Sequence, residues 1–350
     1  MASRLRELER YGQSIWYDGL RRGLIASGEL ARLVVDDGLK GLTTNPSIYE
    51  KAIDSTHDYD AELAALLPRA DLDAKAVYER LAIHDLQAAA DLLRPVHDAS
   101  GGRDGFVSLE VSPAAARDER ATLAEARRLW RALDRRNVMI KVPGTPEALP
   151  AIRQLLSEGV NVNVTLLFSR RAWAGVAEAH LAALEARAAR GEEVAGVASV
   201  ASFFVSRIDT LADELLGELC TSAASDELRE RAEALRGRVA IANAKLAYQD
   251  WRALVAGPRW IRLRALGAQP QRLLWASTST KNPRYPELVY VESLIGAETV
   301  DTVPPATFAA FRDHGRAGAT LEQDLDGARL AMAELAALGI SIDAITDRLL

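Results

Sequence analysis

Six lysines, Lys40, Lys51, Lys75, Lys141, Lys245 and Lys281, stand among 43 basic residues, so the other 37 are arginine. A chain that uses arginine wherever a surface cation serves keeps lysine where an amine itself is needed. Lys141 follows the run Asn137-Val138-Met139-Ile140 and precedes Val142-Pro143-Gly144-Thr145, which puts its amine at the mouth of a dry core. Desolvation there favours the neutral amine, the form that attacks a carbonyl carbon. A strand-end lysine also serves by snorkelling to solvent or discouraging edge pairing. The choice depends on what other groups the fold brings to the same place.

Eight runs rich in β-branched and apolar residues end in turn signals and alternate with segments of helical periodicity. They cover residues 14–17, 41–44, 106–111, 138–142, 160–166, 197–201, 272–276 and 299–303. Thr145-Pro146-Glu147 has a cap residue, a proline at the first helical position and an acid in the first turn, and Ser112-Pro113 and Asn45-Pro46-Ser47 are similar junctions. Residues 226–250 read as one long helix in an insert between the sixth and seventh strands. Eight alternations predict an α/β fold, a closed (β/α)₈ TIM barrel forming a single domain over 1–350 with extra helices, although a doubly wound open sheet shares the local grammar. Ser341-Ile342-Asp343 caps a last helix.

Parity favours the barrel. Ser108 and Glu110 share one strand face, Met139 and Lys141 another, and Asn161, Asn163 and Thr165 a third, each against aliphatic neighbours. Helices cover the aliphatic face, so the polar set points to the barrel axis. Active sites of such barrels lie at the C-terminal ends of the strands. The polar residues collected there are Asp18, Asn45, Glu110, Lys141, Asn163, Thr165, Ser202, Ser277 and Asp301. They combine one amine, carboxylates able to move protons, and neutral groups able to bind hydroxyls. None of His57, His84, His97, His180 and His314 ends a predicted strand, so a convergent metal-ligand set is not expected and imine chemistry is favoured over metal polarisation. Ser277-Thr278-Ser279-Thr280-Lys281 follows the seventh strand, where barrels of this kind often hold a phosphate, and Arg207 is a second candidate cation.

A net charge of −6 with arginine and glutamate interspersed gives no basic stripe for nucleic acid. No apolar run has the length of a membrane span, and the start, Met1-Ala2-Ser3-Arg4-Leu5-Arg6-Glu7, is charged where a signal peptide turns apolar. Cys220 is the one cysteine, which fits a reducing cytoplasm.

The motifs Gly41-Leu42-Thr43-Thr44-Asn45-Pro46-Ser47, Val107 to Pro113, Ile140 to Thr145, Asn161 to Ser169 and Trp275 to Pro283 together resemble the transaldolase family. The segment Tyr290-Val291-Glu292-Ser293-Leu294-Ile295-Gly296 is similar to its longer bacterial form. The resemblance implies a cofactor-free, Schiff-base transferase of the non-oxidative pentose phosphate pathway. Lys141 would attack the ketone of sedoheptulose 7-phosphate or fructose 6-phosphate. Asp18 would take the C4 hydroxyl proton, and Glu110 would move protons through a water held with Thr165. Asn45, Asn163 and Ser202 would hold the dihydroxyacetone part and the catalytic water, and Arg207, Ser277 and Lys281 the phosphate. Sugar phosphates are the expected partners, in a homodimer or a monomer. Three departures stand out: the second phosphate cation is an offset lysine, Lys281, where many members have arginine soon after the serine; Ser206 replaces a common glycine; and the helix capped by Ser341, which members usually complete, is expected to run past Leu350. Two rival readings are a related class I aldolase that releases its product to solvent, and a catalytically silent barrel used for binding.

Overall fold

Parallel strands that are covered by helices on one face need partners for the other, and closing the sheet on itself supplies them. The computed structural model describes residues 3–350; Met1 and Ala2, where the charged start begins, lie outside the described residues. β1 (Gln13–Asp18) leads to α1 (Arg22–Ala26) and α2 (Glu29–Asp37), and β2 (Gly41–Thr43) to α3 (Pro46–Ser55), α4 (Asp60–Leu66) and α5 (Ala74–Ala99). β3 (Phe106–Glu110) precedes α6 (Glu119–Leu133), β4 (Val138–Pro143) precedes α7 (Leu149–Ser157), and β5 (Val162–Leu167) precedes α8 (Arg170–Ala189). β6 (Ser199–Phe204) is followed by α9 (Ser206–Ser222), α10 (Asp226–Leu235), α11 (Val239–Val255) and α12 (Pro258–Ala265). β7 (Arg272–Ala276) leads to α13 (Val289–Ser293), and β8 (Thr299–Val303) to α14 (Pro305–His314), α15 (Leu325–Ala337) and α16 (Ile342–Leu349). The strands pair in chain order, and β1 pairs parallel with β8 to close a (β/α)₈ barrel.

All eight expected strands form. The sixth lies further along than residues 197–201, because Phe203 and Phe204 continue the ladder against Trp275 and Ala276 of β7. Asn45 and Thr145 cap helical turns as expected, accepting from the N–H groups of Ile48 and Ala148. Residues 226–250 do not form one helix. Gly237 adopts a left-handed φ of 71° and separates α10 from α11, and a Cβ there would come within 2.8 Å of the Tyr285 ring. That close approach is a tertiary demand that helical periodicity does not contain.

The lower end of the barrel is plugged by a buried ion pair. Arg272 donates to Asp104 at 2.9 Å and to the Ser14 hydroxyl at 2.8 Å, and Asp104 also accepts from Ser14 and from the Trp16 indole. Trp16 is fully buried and packs so close to Gly41 that a Cβ at that glycine would lie 2.5 Å from its ring. The main apolar core surrounds this plug, and a smaller cluster of Ala52, Tyr59, Leu66, Val77 and Leu81 lies under α3 and α4. No helix among the described residues is long and apolar enough to cross a membrane.

Asp301 and Asp209 are also buried and make no ion pair among the described residues. Alternation in β8 turns Thr302 inward, where its hydroxyl meets that of Thr43 at 2.7 Å. Asp301, expected at the mouth, therefore lies outside the barrel interior and accepts from the Thr278 hydroxyl at 3.1 Å. Asp209 accepts from the Ala240 N–H at 2.7 Å and from the Tyr290 hydroxyl at 3.0 Å. Burial pushes both carboxyls up to about 7, against the weaker pull of those donors.

Arg272→Met leaves Asp104 buried and uncompensated and is expected to cost about 3–5 kcal/mol in urea unfolding, whereas Asp104→Leu/Arg272→Met loses clearly less. Raised acidic pKa values give stability that is fully present below the unfolded value, near 4, and lost as pH rises through about 7. The urea midpoint of Asp209→Asn/Asp301→Asn is expected to fall less than that of the parent protein between pH 4 and 7.

Candidate active site

The C-terminal strand ends enclose a cleft of about 790 Å³. Lys141 rises from its floor, 7% exposed. Glu110 and Lys141 are direct partners in the register of β3 and β4, which brings Lys141 Nζ to 3.2 Å from Glu110 Oε2. Nζ also donates to the Thr44 carbonyl at 3.3 Å. One amine thus stands between a carboxylate and a backbone acceptor, in a place from which most water is excluded.

Asp18 ends β1 and lines the same cleft. Its Oδ1 accepts from the Thr43 hydroxyl at 2.7 Å, so β2 orients the carboxylate. The loop that follows is tied down: the Arg22 N–H donates to the Tyr59 hydroxyl at 3.1 Å, Tyr59 donates to Asp85 at 2.9 Å, and the Arg22 side chain meets Asp85 at 2.9 Å.

On β5 and β6 the expected residues occupy two levels. Thr165 and Ser202 line the cleft, whereas Asn163 is fully buried beneath it. Asn163 Oδ1 accepts from the Ser202 hydroxyl at 2.7 Å, and its Nδ2 donates to Ser108 at 3.2 Å, so both ends of the amide orient neighbours. The Thr165 hydroxyl makes no hydrogen bond to protein. β5 carries a register shift between Val164 and Leu167, with Leu166 at φ 60°, a local irregularity of the kind that re-aims side chains beside sites. Asn45, half-buried, lines the cleft while capping α3.

A second group forms above β6 and β7. Arg207 at the start of α9, Ser277 and Lys281 all line the cleft. The Arg207 guanidinium lies 5.2 Å from the centre of the Phe204 ring, and Lys281 Nζ donates to the Ser279 hydroxyl at 2.7 Å. Ser277 holds a left-handed φ of 56° and its hydroxyl is 2.9 Å from that of Ser206. The serine that departs from the family's glycine therefore fastens the loop after β7 to the start of α9. Tyr285, later in the same loop, donates to Asp213 of α9 at 2.6 Å. Among the described residues, no histidine lines the cleft.

Three cleft residues carry weak or no sequence signals of their own. Thr43 and Thr302 are visible only once strand parity is fixed, and Lys51 on α3 lines the cleft from a helix, away from any strand end. Its one sequence signal is the scarcity of lysine.

Comparison with known proteins places the chain. Residues 15–350 match the family model described as Transaldolase/Fructose-6-phosphate aldolase. A protein of Trichodesmium erythraeum named Transaldolase is 45% identical over 352 residues, which cover 100% of this chain and 92% of that protein. Transaldolase 2 of Nostoc punctiforme is 46% identical over 99% of this chain and 91% of its own length, and Transaldolase of Thiobacillus denitrificans is 46% identical over 98% and 93%. With the family model matched over residues 15–350 and these identities running the length of a closed barrel, the chain belongs to the transaldolase/fructose-6-phosphate aldolase family.

Proposed function

We propose that the protein is a transaldolase of the non-oxidative pentose phosphate pathway, which moves a dihydroxyacetone unit between sugar phosphates through an imine on Lys141. The observation that carries this reading is the buried Lys141 amine 3.2 Å from Glu110 at the floor of a polar cleft. The amine adds to the C2 ketone of fructose 6-phosphate or sedoheptulose 7-phosphate. Loss of the C2 oxygen as water leaves the iminium, with Glu110 passing protons through a water bonded to the Thr165 hydroxyl. Asp18, oriented by Thr43, takes the C4 hydroxyl proton as the C3–C4 bond breaks. The electron pair of that bond passes into the iminium, giving an enamine, and an aldose phosphate departs. The enamine carbon then attacks the aldehyde of the acceptor, Asp18 returns its proton, and water hydrolyses the new iminium to free Lys141.

Ser202 and Asn45 support binding of the dihydroxyacetone hydroxyls, with Asn163 setting the direction of the Ser202 hydroxyl from below. Arg207, Ser277 and Lys281 suit the phosphate, since two cations and a hydroxyl meet on the far side of the cleft. The same proposal takes 1–350 as one catalytic domain working in the cytoplasm, where the single cysteine, Cys220, leaves no intrachain disulfide to form. The aldolase alternative differs in the fate of the enamine, which water would protonate before an acceptor arrives.

Lys141→Arg keeps the charge but cannot form an imine, and transfer from fructose 6-phosphate to erythrose 4-phosphate is expected to fall to trace levels. Glu110→Gln and Asp18→Asn are each expected to lose roughly 10²–10⁴-fold in kcat. Asp18→Asn still accumulates a ketose adduct, whereas Glu110→Gln forms it slowly. Appreciable transfer by Lys141→Arg contradicts the mechanism, and free dihydroxyacetone in place of transfer product favours the aldolase.

A further inference from the structure

Lys51 lines the cleft but has no part in the steps above. It lies on α3, where Ser47, Ile48, Lys51, Ala52 and Ser55 face the cleft at helical spacing. α3 follows β2, while Arg207 follows β6, four strands away in a barrel of eight, so the two residues belong to opposite walls. Other cations of the cleft have carboxylate partners: Arg21 pairs with Glu29 and Asp58, and Lys141 with Glu110. Lys51, Arg207 and Lys281 are all exposed and make no ion pair among the described residues. Burial first, then the charges of Arg207 and Lys51, push the Lys281 amine below its ordinary range against the opposing pull of Asp18. Arg207 and Lys51 thus both act on the Lys281 amine. Like charges held together without a counterion repel, and a phosphate carrying about −1.5 to −2 relieves that repulsion.

We propose that Lys51 is a third phosphate-binding cation, reaching the substrate's phosphate from the wall opposite Arg207, so that α3 helps select phosphorylated sugars. This rests on the reading of Arg207, Ser277 and Lys281 as the phosphate site. The small polar residues on either side of Lys51 suit the role, since Ser47 and Ser55 leave its stem room to bend across the opening. α3 and α4 pack partly on their own apolar cluster of Ala52, Tyr59, Leu66, Val77 and Leu81, so a change at the exposed Lys51 leaves the barrel core untouched.

The test is steady-state kinetics of Lys51→Gln, Lys51→Arg and Arg207→Ala with fructose 6-phosphate and with unphosphorylated fructose as donors. A lost charge-assisted contact at an open site corresponds to roughly tenfold in affinity. Lys51→Gln is expected to raise KM for fructose 6-phosphate about tenfold with a smaller change in kcat, and Lys51→Arg to recover most of the loss. The loss for fructose is expected to be much smaller, and the rise in Tm that inorganic phosphate gives the parent protein is expected to shrink in Lys51→Gln. Equal losses for the two donors in Lys51→Gln, with a phosphate-selective loss kept in Arg207→Ala, overturn the role of Lys51 and leave the phosphate site standing. Equal losses in both variants overturn the phosphate site as well.

Discussion

An amine held beside a carboxylate at the floor of a barrel costs desolvation, and the pair persists only where strand register leaves neither group an alternative. Glu110 and Lys141 are direct partners across β3 and β4, their contact is 3.2 Å, and the Thr44 carbonyl takes a further bond from the amine. Much else in the upper barrel serves this arrangement. Ser108 lies two residues below Glu110 and is bonded to Asn163, which in turn orients Ser202. Thr43 fixes Asp18 in the same way from β2. Asp18, Glu110 and Lys141 are thus all carried by strands rather than by loops.

The buried ion pair at the opposite end has a different purpose. Arg272 and Asp104 are satisfied on every side by Ser14, Trp16 and the Arg103 carbonyl, and they close the barrel bottom to water. Arg207, Lys281 and Lys51 form a third electrostatic setting, where cations are left without carboxylates. Charge is therefore paired and buried below, paired again at the floor of the cleft, and without an ion pair at Arg207, Lys281 and Lys51 among the described residues. The Tyr285 and Tyr290 bonds to Asp213 and Asp209 hold the loop after β7 and the helix after it against α9.

The strands, and the strand-end residues that line the cleft, were legible because alternation and strand-end position are local properties. Ser108, Glu110, Lys141 and Thr165 keep a strict period of two, so their direction follows once a single face is assigned. Asp301 failed that test because β8 puts Val300 and Thr302 on the inward face, and a strand of apolar and threonine residues does not declare which face is buried. The break at Gly237 was illegible for another reason, since Tyr285 comes from a distant loop. Lys51 lacked a strand to end. Its place in the cleft depends on how α3 lies across the barrel mouth, which no spacing within Pro46–Ser55 determines.

The central claim is that Lys141 alone carries the substrate covalently. Borohydride reduction of the protein with fructose 6-phosphate, followed by peptide mass mapping, tests it most directly. The account predicts one reduced adduct per chain, on the peptide containing Lys141, and none in Lys141→Arg. An adduct on Lys51, Lys281 or any other lysine, or full substrate turnover with no adduct at all, would contradict it.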